Sequence, residues 1–143
     1  MKALAIAMMG MLIGGSGYGS GQWTQLGEDI DGEAEADYSG RSVSLSADGT
    51  TVAIGAHFNQ GNGPGSGHVR IYQWNGTAWI QRGTDIDGEA LGNHSGWSVS
   101  LSTDGNTVAI GAPFNHGNGP GPVYGHVRIY QWNGTAWTQR GTD

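Results

Sequence analysis

The chain repeats itself. Residues 42–56 read SVSLSADGTTVAIGA and return at 98–112 as SVSLSTDGNTVAIGA; residues 67–79, GHVRIYQWNGTAW, return unchanged at 125–137. The offset grows from 56 to 58 because two residues enter the intervening loop, FNQGNGPGS in the first copy and FNHGNGPGPVY in the second. A surface turn absorbs such an insertion. A partial copy stands upstream, where GEDIDGEA at 27–34 precedes GTDIDGEA at 83–90 by 56 positions. A unit of this length cannot bury its apolar face alone, so like units must stack.

Glycine supplies 28 of 143 residues, which excludes long helices and coiled coils. Four prolines without a Gly-X-Y period exclude collagen, and 6 Trp, 5 Tyr and 2 Phe argue against disorder. Short strands joined by turns remain. A two-residue turn at Asp48-Gly49 sets Leu45 opposite Val52 and Val43 opposite Ile54, and Asp104-Gly105 does the same for Leu101 with Val108 and Val99 with Ile110. Treated likewise, Asn75-Gly76 sets Tyr72 opposite Trp79, and Asn133-Gly134 sets Tyr130 opposite Trp137, and the Asp-Gly and Asn-Gly turns alike read as type I′. Four strands per repeat, with the small apolar run 51–56 in an inner place, describe a β-propeller blade. The fold class expected is therefore all-β: tandem four-stranded blades, about two of them plus an extra N-terminal strand near Trp23–Leu26, forming a partial propeller.

Gly111-Ala112-Pro113 after Asp104-Gly105-Asn106-Thr107-Val108-Ala109-Ile110 resembles the FG-GAP repeat of integrin α-chain propellers and their bacterial relatives. The first copy carries Gly55-Ala56-His57, and Ser39-Gly40 and Ser95-Gly96 stand where that family has Phe-Gly. The resemblance covers about residues 22–143. It implies a propeller, extracellular binding and adhesion, and Ca²⁺ in the first hairpin of a repeat. The Ca²⁺ positions are degenerate here, with Ser44, Ser46 and Val52 around Asp48 and Ser100, Ser102 and Val108 around Asp104. One carboxylate per loop is too few for an ion that takes six to eight oxygens, so no cofactor and no metal is expected there.

The remaining acidic cluster is Glu28, Asp29, Asp31, Glu33, Glu35 and Asp37, half repeated at Asp85, Asp87 and Glu89. It reads as a solvated inter-blade loop. The functional alternative makes Asp29, Asp31, Glu33, Asp85, Asp87 and Glu89 weak ligand or cation contacts on one propeller face. His68 and His126 open the repeated strand GHVRIY and share a face with Arg70 and Tyr72, or Arg128 and Tyr130. Identical placement in both copies suits a structural task, because active sites break repeat symmetry to assemble different groups. Trp74, Trp79, Trp132 and Trp137 read as packing across hairpins, with a sugar-stacking platform as the other use. No catalytic residues emerge, and nucleotide-binding, zinc-protease and serine-hydrolase motifs are missing from the sequence.

A formal charge of −6 and scattered arginines exclude a nucleic-acid surface, and the lack of cysteine removes disulfides and thiolate chemistry. Lys2, an apolar stretch from Ala3 to Ile13 and the small-residue run 14–17 have the parts of a secretory leader, too short to span a bilayer. The organisation expected is a leader at 1–21, a strand and acidic loop of a partial repeat at 22–38, one blade at 39–94 and a second at 95–143, truncated at its end. Ring closure takes about four blades or more. The chain is thus expected to be a fragment of a larger propeller, or else to self-associate, with further blades of the same polypeptide as partners. The function expected is a non-catalytic, secreted or cell-surface module that binds a protein or glycan ligand. The alternatives are part of a propeller hydrolase or lyase whose active site lies elsewhere, and a purely structural scaffold.

Overall fold

Each repeat folds as a meander of antiparallel strands in chain order. The computed structural model describes residues 22–117 and 121–142; the expected leader at 1–21 lies outside them. The first sheet contains β1 (Ser42–Leu45), β2 (Thr51–Ala56), β3 (His68–Trp74) and β4 (Trp79–Gln81), with the short β5 (Ile86–Asp87) pairing β3 beyond β4. The second contains β6 (Ser98–Leu101), β7 (Thr107–Ala112), β8 (His126–Trp132) and β9 (Trp137–Gln139). This is the all-β arrangement of tandem blades, and the described residues form no closed ring.

Three expectations are corrected. The extra strand is not N-terminal: Trp23–Leu26 forms no ladder, and the additional strand is β5. The second hairpin of each repeat is shifted by two residues, with Trp74 opposite Trp79 and Tyr72 opposite Gln81, and Trp132 opposite Trp137 in the second copy. The cause is the asparagine. Asn75 Oδ1 accepts hydrogen bonds from Thr77 N and Ala78 N, both at 2.9 Å, and Asn75 N donates to Ala78 O at 3.1 Å. Asn75 thus opens the turn, instead of sitting in its centre. The first hairpins keep the expected register, Val43 with Ile54 and Val99 with Ile110. Their turns are not type I′, however, because Gly49 and Gly105 have positive φ while Asp48 and Asp104 do not. Instead Gly49 N donates to Ser46 O at 3.0 Å, and the Asp48 carboxylate accepts from Ser46 Oγ at 2.7 Å and Thr50 N at 3.0 Å.

Strand alternation gives each sheet two faces. One face of the first sheet carries Ala53, Val69 and Ile71; it packs on the opposite face of the second, where Val108 and Ile110 are buried and Val99, Leu101, Tyr130 and Trp137 lie partly buried. Ile86 joins this core from β5. Toward β1 the core gives way to small residues and the backbones meet. Ser42 Oγ donates to Gly96 O at 2.7 Å, and Ser44 Oγ accepts from Leu101 N at 2.9 Å. Gly55 lies so close to the Gly96 carbonyl that a side chain there has no room, whereas its counterpart Gly111 meets only Ser98. A second seam joins His57, Phe58, His94, Trp97 and Phe114 edge to face, with Arg41 5.0 Å above the Trp97 ring.

Two outcomes follow from this packing. Gly55→Ala destabilises by about 1–3 kcal/mol in urea unfolding, as overpacking does, while Gly111→Ala costs under about 1 kcal/mol because Ser98 turns aside; equal costs would mean that the sheets do not meet at Gly55. The second outcome is acid sensitivity. Burial, aided by the neighbouring charges of His94 and Arg41, holds His57 below its ordinary value, so its neutral form belongs to the fold. Its contribution is complete above the unfolded value of about 6.5 and is lost as pH falls through the lower folded one. The Ser46 and Ser102 hydroxyls, with backbone donors, likewise hold Asp48 and Asp104 below the usual carboxylate range, adding a further loss at more acidic pH. Melting temperature measured from pH 8 to pH 4 should begin to fall below about 6.5, and His57→Gln should flatten that upper limb; an unchanged limb would remove His57 as its cause.

Candidate functional site

The two acidic segments are held against the sheets by the His-x-Arg face of the repeated strand. His68, Arg70 and Tyr72 alternate along β3 and so project to one side. Arg70 is buried, lies 5.5 Å from the Tyr72 ring centre, and donates from Nη2 to Asp31 O at 2.7 Å. The second repeat copies this: Arg128 lies 5.5 Å from the Tyr130 ring and donates to Asp87 O at 2.6 Å. The segment following β4 therefore serves the second sheet, as the segment at 29–33 serves the first.

The six acidic candidates separate into distinct roles. Asp29 accepts a hydrogen bond from Gln25 at 2.8 Å, at the exposed end of its segment. Asp31 and Asp87 act through their carbonyl oxygens on Arg70 and Arg128. Glu33 and Asp85 converge on His68: Nδ1 stands 3.8 Å from Glu33 Oε2 and 3.5 Å from Asp85 Oδ2. The other oxygen of Glu33 lies 3.7 Å from Arg70 Nη1. Asp85 Oδ1 accepts from Gln81 Nε2 at 2.6 Å. Glu89 repeats the part of Glu33, with Oε2 3.7 Å from His126 Nδ1 and accepting from Asn115 Nδ2 at 3.0 Å, and Oε1 3.8 Å from Arg128 Nη1.

Asn59 and Asn115 had no assigned role in the sequence, and Asp37, read there as part of a solvated loop, is instead buried against Asn59. Asp37 accepts from Asn59 Nδ2 at 2.8 Å, and Asn59 Oδ1 in turn accepts from Gly61 N at 2.8 Å. The available signal was the phase of the two repeats, since the acidic segment and GHVRIY recur together. Tryptophan takes the packing role. Trp74 and Trp79 tilt against each other with ring centres 5.5 Å apart, as do Trp132 and Trp137. Trp79 Nε1 donates to Leu26 O at 2.8 Å and Trp137 Nε1 to Arg82 O at 2.7 Å, so each pair pins the chain entering its acidic segment.

The first hairpin does not fit the Ca²⁺ that the family resemblance implies. Its one carboxylate, Asp48, already accepts from Ser46 and Thr50, and no second carboxylate stands in the loop. The chemistry of the described residues gathers instead at Glu33, His68 and Asp85, whose ligand atoms lie within 4.8 Å of one another.

No sequence match to a curated protein was found. The FG-GAP repeat family matches residues 29–72, a span that opens on the acidic segment, takes in β1 and β2, and closes in β3 at Tyr72. Its two ends are thus the partners joined by Asp31–Arg70 and Glu33–His68. Residues 29–72 of this chain are an FG-GAP repeat.

Proposed function

We propose that the chain is a non-catalytic binding module, secreted or displayed at the cell surface, whose sheets stack head to tail with further repeats of the same sequence. One observation carries the stacking. The residues left open at the two ends are the counterparts of those that meet in the middle. Val69 and Ile71 are 0% and 1% exposed under the second sheet, whereas Val127 and Ile129, their equivalents in β8, are 65% and 43% exposed. At the other end Val43 and Leu45 are exposed, while Val99 and Leu101, their equivalents in β6, pack against the core. Each end is therefore half of an interface that already exists once inside the chain. Such a contact is heterologous and propagates until a ring closes.

Ligand binding is assigned to the loops between the second and third strands of each repeat, on a scaffold of rigid sheets. Phe58 and Phe114 occupy matching places there and both stand exposed, as do Val123 and Tyr124 in the longer second loop. Apolar and aromatic groups on a loop rim suit a protein or glycan ligand, while the net charge of −6 opposes nucleic acid. The apolar segment at 3–13 supports export.

End-blocked variants test the stacking. Val127→Asp with Ile129→Asp blocks one end, and Val43→Asp with Leu45→Asp blocks the other. In sedimentation velocity the unmodified chain should associate with rising concentration, each blocked variant alone should be monomeric, and their mixture should yield a one-to-one dimer. A monomeric unmodified chain, or blocked variants that associate as before, would overturn the proposal.

A further inference from the structure

Glu33, His68 and Asp85 reach one point from the acidic segment, the start of β3 and the turn before β5. His68 is 1% exposed, so a buried imidazole is aimed at two carboxylates. Separations of 3.5 and 3.8 Å are too long for charge-assisted hydrogen bonds, which run about 2.7–2.9 Å. They approach a different geometry, with the three ligand atoms all within 4.8 Å of one another. Donors about 2.1 Å from a tetrahedral Zn²⁺ stand about 3.4 Å from each other.

The surroundings favour a cation. Glu33 and Asp85 also line a cup shared with Asp37 and Asp87, giving four carboxylates. Arg70 is the opposing charge, and it faces Glu33 Oε1, leaving Oε2 toward His68. Gln81 similarly holds Asp85 Oδ1 and leaves Oδ2 toward His68, the kind of outer hydrogen bond that orients a ligand. Asn59 Nδ2 reaches Glu33 Oε2 only at 3.5 Å, while bonding Asp37 at 2.8 Å. The pattern recurs with Glu89 and His126; the counterpart of Asp85 is Asp143, outside the described residues.

We propose that Glu33, His68 and Asp85 bind a divalent transition metal of the Zn²⁺ class, with the fourth position open toward Asp37 and Asp87. Imidazole selects Zn²⁺ and Co²⁺ over Ca²⁺, which takes oxygen donors only. The site lies on the Val43 and Leu45 face of the first sheet, opposite the Ala53, Val69 and Ile71 core, so it borders the end assigned above to stacking.

The test is calorimetric titration of the whole chain with Zn²⁺ and, separately, Ca²⁺ at pH 7, with Co²⁺ absorption as the second readout. His126→Gln serves as background, so that the first repeat is read alone. Zn²⁺ should bind, Co²⁺ should give the intense visible bands of a tetrahedral site, and Ca²⁺ should give no comparable heat. Asp85→Asn, at a half-buried position, should weaken Zn²⁺ by about 10-fold or more with the melting temperature of the metal-free chain retained; His68→Gln should abolish the Co²⁺ bands. Absence of Zn²⁺ binding, equal binding of Ca²⁺, or Zn²⁺ affinity unchanged in both variants would overturn the assignment.

Discussion

The structure depends on one contact, the face of Ala53, Val69 and Ile71 laid against the face of Val108 and Ile110. A four-stranded meander of this size has no interior of its own, and its apolar side chains reach low exposure only when a second sheet covers them. The distribution of small residues follows from that demand. Serine and glycine stand where β1 and β2 approach the second sheet, so Ser42 and Ser44 bond its backbone directly and Gly55 passes beside Gly96. In the second sheet the same serines, Ser98 and Ser100, are exposed, because nothing covers them.

Covalent order and structural order are offset. The acidic segment that follows β4 belongs to the next sheet, where Asp87 and Glu89 engage Arg128 and His126. Ile86 of that segment enters the shared core, and Trp137 closes over the chain at Arg82. Arg82 adds Nη1–Gly105 O at 2.8 Å and sits over Trp132 at 4.8 Å. Each repeat therefore hands a segment forward, and the junction is joined by hydrophobic contact, backbone hydrogen bonds and charge together. The FG-GAP match, which begins at Asp29 and ends at Tyr72, delimits one such acidic segment with the strands it clamps.

The sequence displayed the array, the strand count and the first hairpin of each repeat, because a two-residue turn at Asp48-Gly49 sets Val43 and Leu45 opposite apolar partners. Asn-Gly misled for a definite reason. The asparagine side chain can serve either as the first corner of a turn or in its centre, and its bonds to Thr77 and Ala78 select the corner. Since the resulting shift is even, each side chain kept its face, and only the partners changed. Trp23–Leu26 was expected as a strand, yet its backbone joins no ladder among the described residues; it is held to the first sheet by the Trp79 side chain at Leu26 O. The acidic residues were visible as a group, but their sorting was not. Glu33 meets His68 and Arg70 across more than thirty residues of chain, and spacing alone carries no information about that distance in space.

Amide hydrogen exchange under native conditions tests the shared core most directly, because it assigns an opening free energy to each strand. If the sheets depend on each other, the amides of Val69 and Ile71 in β3 and those of Val108 and Ile110 in β7 should exchange through one common opening, with the same denaturant dependence. Two separate openings, with β7 protected while β3 exchanges freely or the reverse, would show that each sheet stands on its own and would contradict this account.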